Sequence, residues 1–193
     1  MRSVAAIIVA LLLSVVPSGA HVAIPTEFRD VVSDASLIVR GRVTDVRSVS
    51  EPGRGIESIA TVAVESVLKG TANSFVYVRV PGGEVGRRRV VMTGAPQFKA
   101  GQRAVFFLRP SAMDSSHRPV GLSLGVYRLQ AEAATGRTLV APPVVAGVTS
   151  ASRGPVQRGD VRRQMMAVPE FEALVRLVMA TPTGQAVRRG GGR

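Results

Sequence analysis

The feature that most limits the fold is a change of period at Ser36. Before it, "TEFRDVVSDA" (Thr26–Ala35) spaces Phe28, Val31 and Val32 at i, i+3 and i+4, with Thr26 as a cap and Glu27 in the first turn. After it, "SLIVRGRVTDVRSV" (Ser36–Val49) alternates. Ile38, Arg40, Arg42 and Thr44 fall on one face, and Val39, Gly41 and Val43 on the other. Alternation with β-branched residues predicts a strand with one wet face. "EPGRG" is a turn, and "ESIATVAVESVLKG" (Glu57–Gly70) is a second long strand ended by Lys69-Gly70.

The pattern then repeats. "SFVYVRV" (Ser74–Val80) is a third strand, closed by "PGG", and the basic stretch Gly86–Arg89 leads into Val90–Met92. "GQRAVFFLRP" (Gly101–Pro110) is another strand, followed by the polar loop "SAMDSSHR". "VGLSLGVYRLQ" and "GRTLVAP" form a hairpin around "EAATG". Short strands at regular spacing, after a single early helix, predict a mainly β chain built as a closed or nearly closed antiparallel barrel.

Past Pro142-Pro143 the chain turns rich in Gly, Ser and Pro. Residues 21–147 are expected to be the barrel domain and 148–167 a linker. An amphipathic helix is expected over 168–181, striped by Phe171, Leu174, Val175 and Val178, with Pro169 in its first turn. It either packs back on the barrel or docks elsewhere. Residues 182–193 read as a disordered basic tail.

The N-terminus indicates a compartment. Arg2, the apolar run Val4–Val16, Pro17 and the small residues Ser18-Gly19-Ala20 read as a secretory signal over residues 1–20. The run is shorter than the roughly 20 residues that span a bilayer, and no later segment is a membrane span. The mature protein is expected to be exported, periplasmic or secreted. It has no cysteine, which excludes disulfides, thiol catalysis and zinc–cysteine sites.

The formal charge is +12, nearly all of it arginine, since Lys69 and Lys99 are the lysines. Such a balance suits an anionic polymer of the cell envelope, or reflects a coding bias toward GC-rich codons. Export makes nucleic acid an unexpected partner.

The succession "ASLIVRGRVTDV … TVAVESVLKG … VYVRVPGG … GAPQFKAGQRAVFFL … VGLSLGVYRL" resembles a group of uncharacterised exported bacterial proteins. Its first two strands, through "V-x-G-x-V" and "V-L-K-G", resemble the opening of netrin-like domains, the OB-type barrels of tissue inhibitors of metalloproteinases. The resemblance spans Ala35 to about Val140 and implies an OB-like barrel that binds another exported protein, a metalloprotease in its most specific version. Those inhibitors act through an N-terminal cysteine, which this chain lacks, so that role does not carry over by residue.

Few reactive groups remain. The chain has no "HExxH", "GxSxG" or "GxxxxGK", and a Ser/His/Asp arrangement would need His117 with Asp114, three positions away in one loop. A non-enzymatic binding domain is therefore expected. Cleavage after Ala20 would leave His21 at the terminus, where its α-amine and imidazole, joined by His117, form the three-nitrogen set that suits copper. Copper is the one cofactor the sequence suggests. For binding, Phe75, Tyr77 and Arg79 share a strand face that can stack an aromatic group and hold an anion, unless Phe75 is core. Arg87, Arg88 and Arg89 form a second basic contact point beside "PGGEVG". The mature N-terminus and the loops around Gly82–Arg89 and Ala112–Pro119 are the expected contact surface.

Overall fold

The computed structural model of the chain describes residues 28–133, 135–143 and 165–181. Helix α1 (Phe28–Asp34) is followed by the long hairpin β1 (Leu37–Glu51) and β2 (Gly55–Lys69), then β3 (Phe75–Pro81). A small hairpin, β4 (Gly83–Val85) and β5 (Arg88–Val90), precedes β6 (Arg103–Pro110) and β7 (His117–Pro119). A 3-10 turn (Leu122–Gly125) leads into β8 (Val126–Ala131), β9 (Thr138–Ala141), β10 (Met166–Ala167) and helix α2 (Val168–Ala180).

The main sheet runs β1-β2-β3-β7-β6-β8-β9-β10, and β1 also pairs with β6. That second pairing, Leu37↔Leu108 to Arg42↔Arg103, closes β1, β2, β3, β7 and β6 into a ring. The protein is thus mainly β and barrel-like, with, among the described residues, one short helix before the barrel and one helix after it. The ring is antiparallel at every seam but one: β3 and β7 run parallel and meet at a single register position, Val78↔His117. That seam is only partly closed.

Closure depends on close approach. At Gly41, in the "V-x-G-x-V" stretch, a Cβ would lie 2.5 Å from the Ala63 carbonyl oxygen and 2.7 Å from Val62 Cγ1. Strand β1 shifts register on either side of this point, as a strand must to bend around a small barrel. The "V-L-K-G" stretch is structural too. Lys69 Nζ donates to the carbonyls of Val32 (2.8 Å) and Ser33 (3.2 Å), at the C-terminus of α1. Gly70 follows at φ +76°, with the Ser36 carbonyl where its Cβ would be.

Two cores explain the run "AVFFL". Ala104, Phe106 and Leu108 of β6 point into the barrel with Val39, Val43, Val62, Val76 and Val78. Val105 and Phe107 point outward beneath the helices, with Ile38, Phe28, Val32, Phe171 and Val175. The face of β1 expected to be wet is therefore wet only toward Arg42 and Thr44. Ile38 is covered, and Arg40 pairs with Glu172 of α2 at 2.9 Å.

Helix α2 packs back on the barrel. Phe171, Val175 and Val178 are buried, and Leu174 packs at the margin. Phe171 meets Tyr127 at 5.0 Å, Phe28 at 5.7 Å and Phe107 at 6.3 Å between ring centroids, mostly edge-on. Such contacts add about 0.5–1.5 kcal/mol per pair to the burial itself.

Three sequence expectations need adjustment. His117 and Arg118, expected in the polar loop, open strand β7, which pairs with β6 and β3. The strand expected from Val120 begins only at Val126, because Gly121 and Leu122 both take left-handed backbone (φ 58°) and break the extended run. Of the expected linker, Met166-Ala167 is strand β10, paired with Val140 and Leu139; residues 148–164 lie outside the described residues. So do the expected signal segment and the basic tail.

Candidate functional site

The residues of "SFVYVRV" sort as a strand dictates. Val76, Val78 and Val80 enter the barrel core, and Phe75, Tyr77 and Arg79 face outward. Their surroundings differ sharply. Phe75 is 53% exposed and Tyr77 47%, so neither belongs to the core, whereas Arg79 is 6% exposed.

Arg79 is enclosed because carboxylates take up its donors. Nη1 donates to Glu57 Oε2 (2.9 Å) and Glu51 Oε1 (3.0 Å), and Nη2 pairs with Asp114 Oδ2 at 2.9 Å. Glu57 also binds Arg118 Nη2 at 2.5 Å, and Arg54 Nη1 donates to Glu51 at 2.9 Å. Three arginines thus balance three acids. Arg79 does not join the aromatic pair as an anion contact, because its charge is already neutralised.

The titrations follow from the geometry. Burial works against ionisation of Glu57, but the hydrogen bonds from Arg79 and Arg118 and the charges of Arg118 and Arg54 outweigh it, holding the carboxyl below its ordinary value. The Ser116 hydroxyl and backbone N–H bind Asp114 and, with Arg79, lower its carboxyl to about 2.

Next to this network lies the partly closed seam. His117 opens β7, where it registers with Val78 on one side and Pro110 on the other. Before Val78, residues Phe75 to Tyr77 pair with β2 alone among the described residues. A pocket of about 220 Å³ occupies the gap, lined by Leu37, Asn73, Phe75, Tyr77, Ser115 and His117 among others. His117 is half-buried, and its Nδ1 is enclosed without a hydrogen-bond partner among the described residues. Desolvation lowers its pKa, so the ring is neutral at neutral pH. The site therefore offers two aromatic faces, an unpaired strand edge and a sheltered polar nitrogen.

The structure brings Phe75, Tyr77 and His117 into one pocket. It does not bring Arg87, Arg88 and Arg89 there; these stand exposed on the β4–β5 hairpin. His21 lies outside the described residues. No group of three or more metal-ligating side chains occurs among the described residues. Asp114 turns to Ser116 and Arg79 and is not hydrogen-bonded to His117, so no Ser/His/Asp relay is assembled there. Sequence reading missed Glu57 and Asn73, and named Ser115 and Arg118 only as part of the contact loop Ala112–Pro119. Their only signal was a charged or polar residue in a strand or loop, which is uninformative until distant segments meet.

No protein-family model matches this chain, and comparison with curated proteins finds no match.

Proposed function

We propose that the protein is an exported, non-enzymatic binding domain that engages another exported protein at the seam between β3 and β7. The observation that carries this reading is the exposure of Phe75 and Tyr77 beside a pocket that His117 also lines. Exposed aromatic pairs of this kind are characteristic of interface anchors. The edge of β3 at Phe75 to Tyr77, unpaired among the described residues, adds a second means of recognition. An extended partner segment gains main-chain hydrogen bonds there while its side chains enter the pocket. The signal-like N-terminus supports export, and the netrin-like resemblance makes a metalloprotease the first partner class to test.

The test is a photoreactive phenylalanine analogue in place of Tyr77, expressed in the native host, with Arg137 of the remote β8–β9 turn as the control position. One adduct specific to position 77, and abolished by Phe75→Ser, is the expected result. Identical adducts at both positions, or none at either, would remove the reading.

The second reading is copper binding through His21 and His117. It is favoured by the neutral ring of His117, the form in which histidine ligates metals, whose Nδ1 has no hydrogen-bond partner among the described residues. Intact mass of the exported chain tests it: a chain starting at His21 and retaining one copper supports it, and a metal-free chain does not.

A further inference from the structure

The β4–β5 hairpin is not part of the barrel wall. It forms a two-stranded sheet of its own, with Gly83↔Val90, Glu84↔Arg89 and Val85↔Arg88 in register, leaving Gly86-Arg87 as a two-residue loop. Its base is fastened to the β1–β2 hairpin. The Gly82 N–H donates to the Ile56 carbonyl (2.9 Å), Ser58 Oγ donates to the Gly82 carbonyl (2.8 Å), and the Glu84 N–H donates to Ser48 Oγ (3.1 Å). The base is thus fixed, and Val90 and Met92 lie beside it at Gly82.

What it presents is unusual in combination. Arg87, Arg88 and Arg89 are all exposed, and none makes an ion pair among the described residues. Arg40, Arg54, Arg79, Arg103 and Arg118 each have a carboxylate, and the hairpin differs from other arginines without one among the described residues, such as Arg42 and Arg47, in presenting three in succession. Glu84 is the one acid between Gly82 and Met92. Directly after the arginines come exposed apolar side chains: Val90 at 41%, Val91 at 66% and Met92 at 48%. Unbalanced cations suit any anionic surface, but exposed apolar residues beside them gain nothing from a soluble polyanion. They gain from a lipid interface, where the arginines meet anionic headgroups and the apolar side chains enter the acyl boundary.

We propose that this hairpin and the two residues after it attach the protein to an anionic lipid surface, with Arg87, Arg88 and Arg89 on the headgroups and Val91 and Met92 inserted. The occupant of the surface is lipid; an acidic polysaccharide is the alternative that the test separates from it. The attachment goes beyond the protein-binding reading and uses a different part of the molecule. Tyr77 and His117 are not involved.

The native chain has no tryptophan, so a single introduced one reports on its own site. The experiment uses Val91→Trp with vesicles of phosphatidylcholine, with and without phosphatidylglycerol, and Leu177→Trp on the exposed face of α2 as the comparison. The expected result is binding to the phosphatidylglycerol vesicles only. It comes with a blue shift and shielding from an aqueous quencher at position 91, and no change at position 177. Replacing all three arginines by glutamine should weaken that binding roughly 100-fold, at about fivefold for each cation near an anionic leaflet. Four results would each overturn the proposal. These are equal binding to neutral vesicles, unchanged binding of the triple-glutamine variant, a blue shift at 177 instead of 91, and binding with no shift at 91. The last is the behaviour of a purely electrostatic module, as for an acidic polysaccharide.

Discussion

Glu57→Gln is the sharpest test of the ion-pair network that encloses Arg79. The substitution keeps the shape and removes the charge. Deleting one partner of a buried pair costs about 3–5 kcal/mol, because the other charge is left without compensation. Two features reduce that here. The Arg118 side chain is 32% exposed and returns to solvent, and Arg79 retains Glu51 and Asp114. We therefore expect a loss of about 2–3 kcal/mol, which for a domain of this size lowers Tm by roughly 6–10 °C. Glu65→Gln is the control. Glu65 pairs with Arg103 and Arg40 but is 25% exposed, and its removal should cost less than about 1 kcal/mol. The effect is tied to pH with a definite sign. The folded-state pKa of Glu57 is depressed, so its contribution is complete above the unfolded carboxylate value of about 4.3 and is lost as pH falls through the folded value. Urea midpoints of wild type and Glu57→Gln should differ at neutral pH and converge on acidification. Equal losses for Glu57→Gln and Glu65→Gln, or a gap that does not change with pH, would show that burial of the Glu57 charge does not set its cost.

Three further outcomes follow from the packing. Phe171→Ala should cost about 3–4 kcal/mol in urea unfolding, since it empties the centre of the aromatic cluster; a loss below about 1 kcal/mol would mean that α2 contributes little in cis. Gly41→Ala should cost about 3 kcal/mol by forcing β1 away from the Ala63 carbonyl, and an unchanged midpoint would show slack in that crossing. His117 is held neutral by desolvation, so its stabilising share is present above the ordinary imidazole value of about 6.5 and falls as the solution is acidified toward the lower folded value. His117→Gln should flatten wild-type stability across that window, and an undiminished slope would place the titration elsewhere.

Much of the fold was legible because it is local. The switch from a 3.6 to a 2 period at Ser36, the alternation in β1, β2 and β3, and the stripe of α2 all arise from which side chains neighbouring backbone positions present. The "V-x-G-x-V" and "V-L-K-G" stretches have reasons that are not local: Gly41 meets Ala63 of the next strand, and Lys69 caps α1 from 37 positions away. The parallel seam, the double core around β1 and β6 and the docking of α2 were less legible. A continuous apolar run such as "AVFFL" does not say what covers each face.

The candidate site divides in the same way. Phe75, Tyr77 and Arg79 were chosen from one strand face, and the alternation that chose them is correct. Their fates differ because tertiary contacts differ. Arg79 meets Glu51 from 28 positions away, and Arg118 meets Glu57 across 61 positions. Periodicity assigns a side chain to a face, but only chain closure brings carboxylates within about 3 Å of a guanidinium and takes both out of water. Local pattern accounts for β1, β2, β3, β6 and the two described helices, and composition for the excess of arginine. Chain closure sets which arginines meet carboxylates and which, such as Arg87, Arg88 and Arg89, stay exposed without one among the described residues.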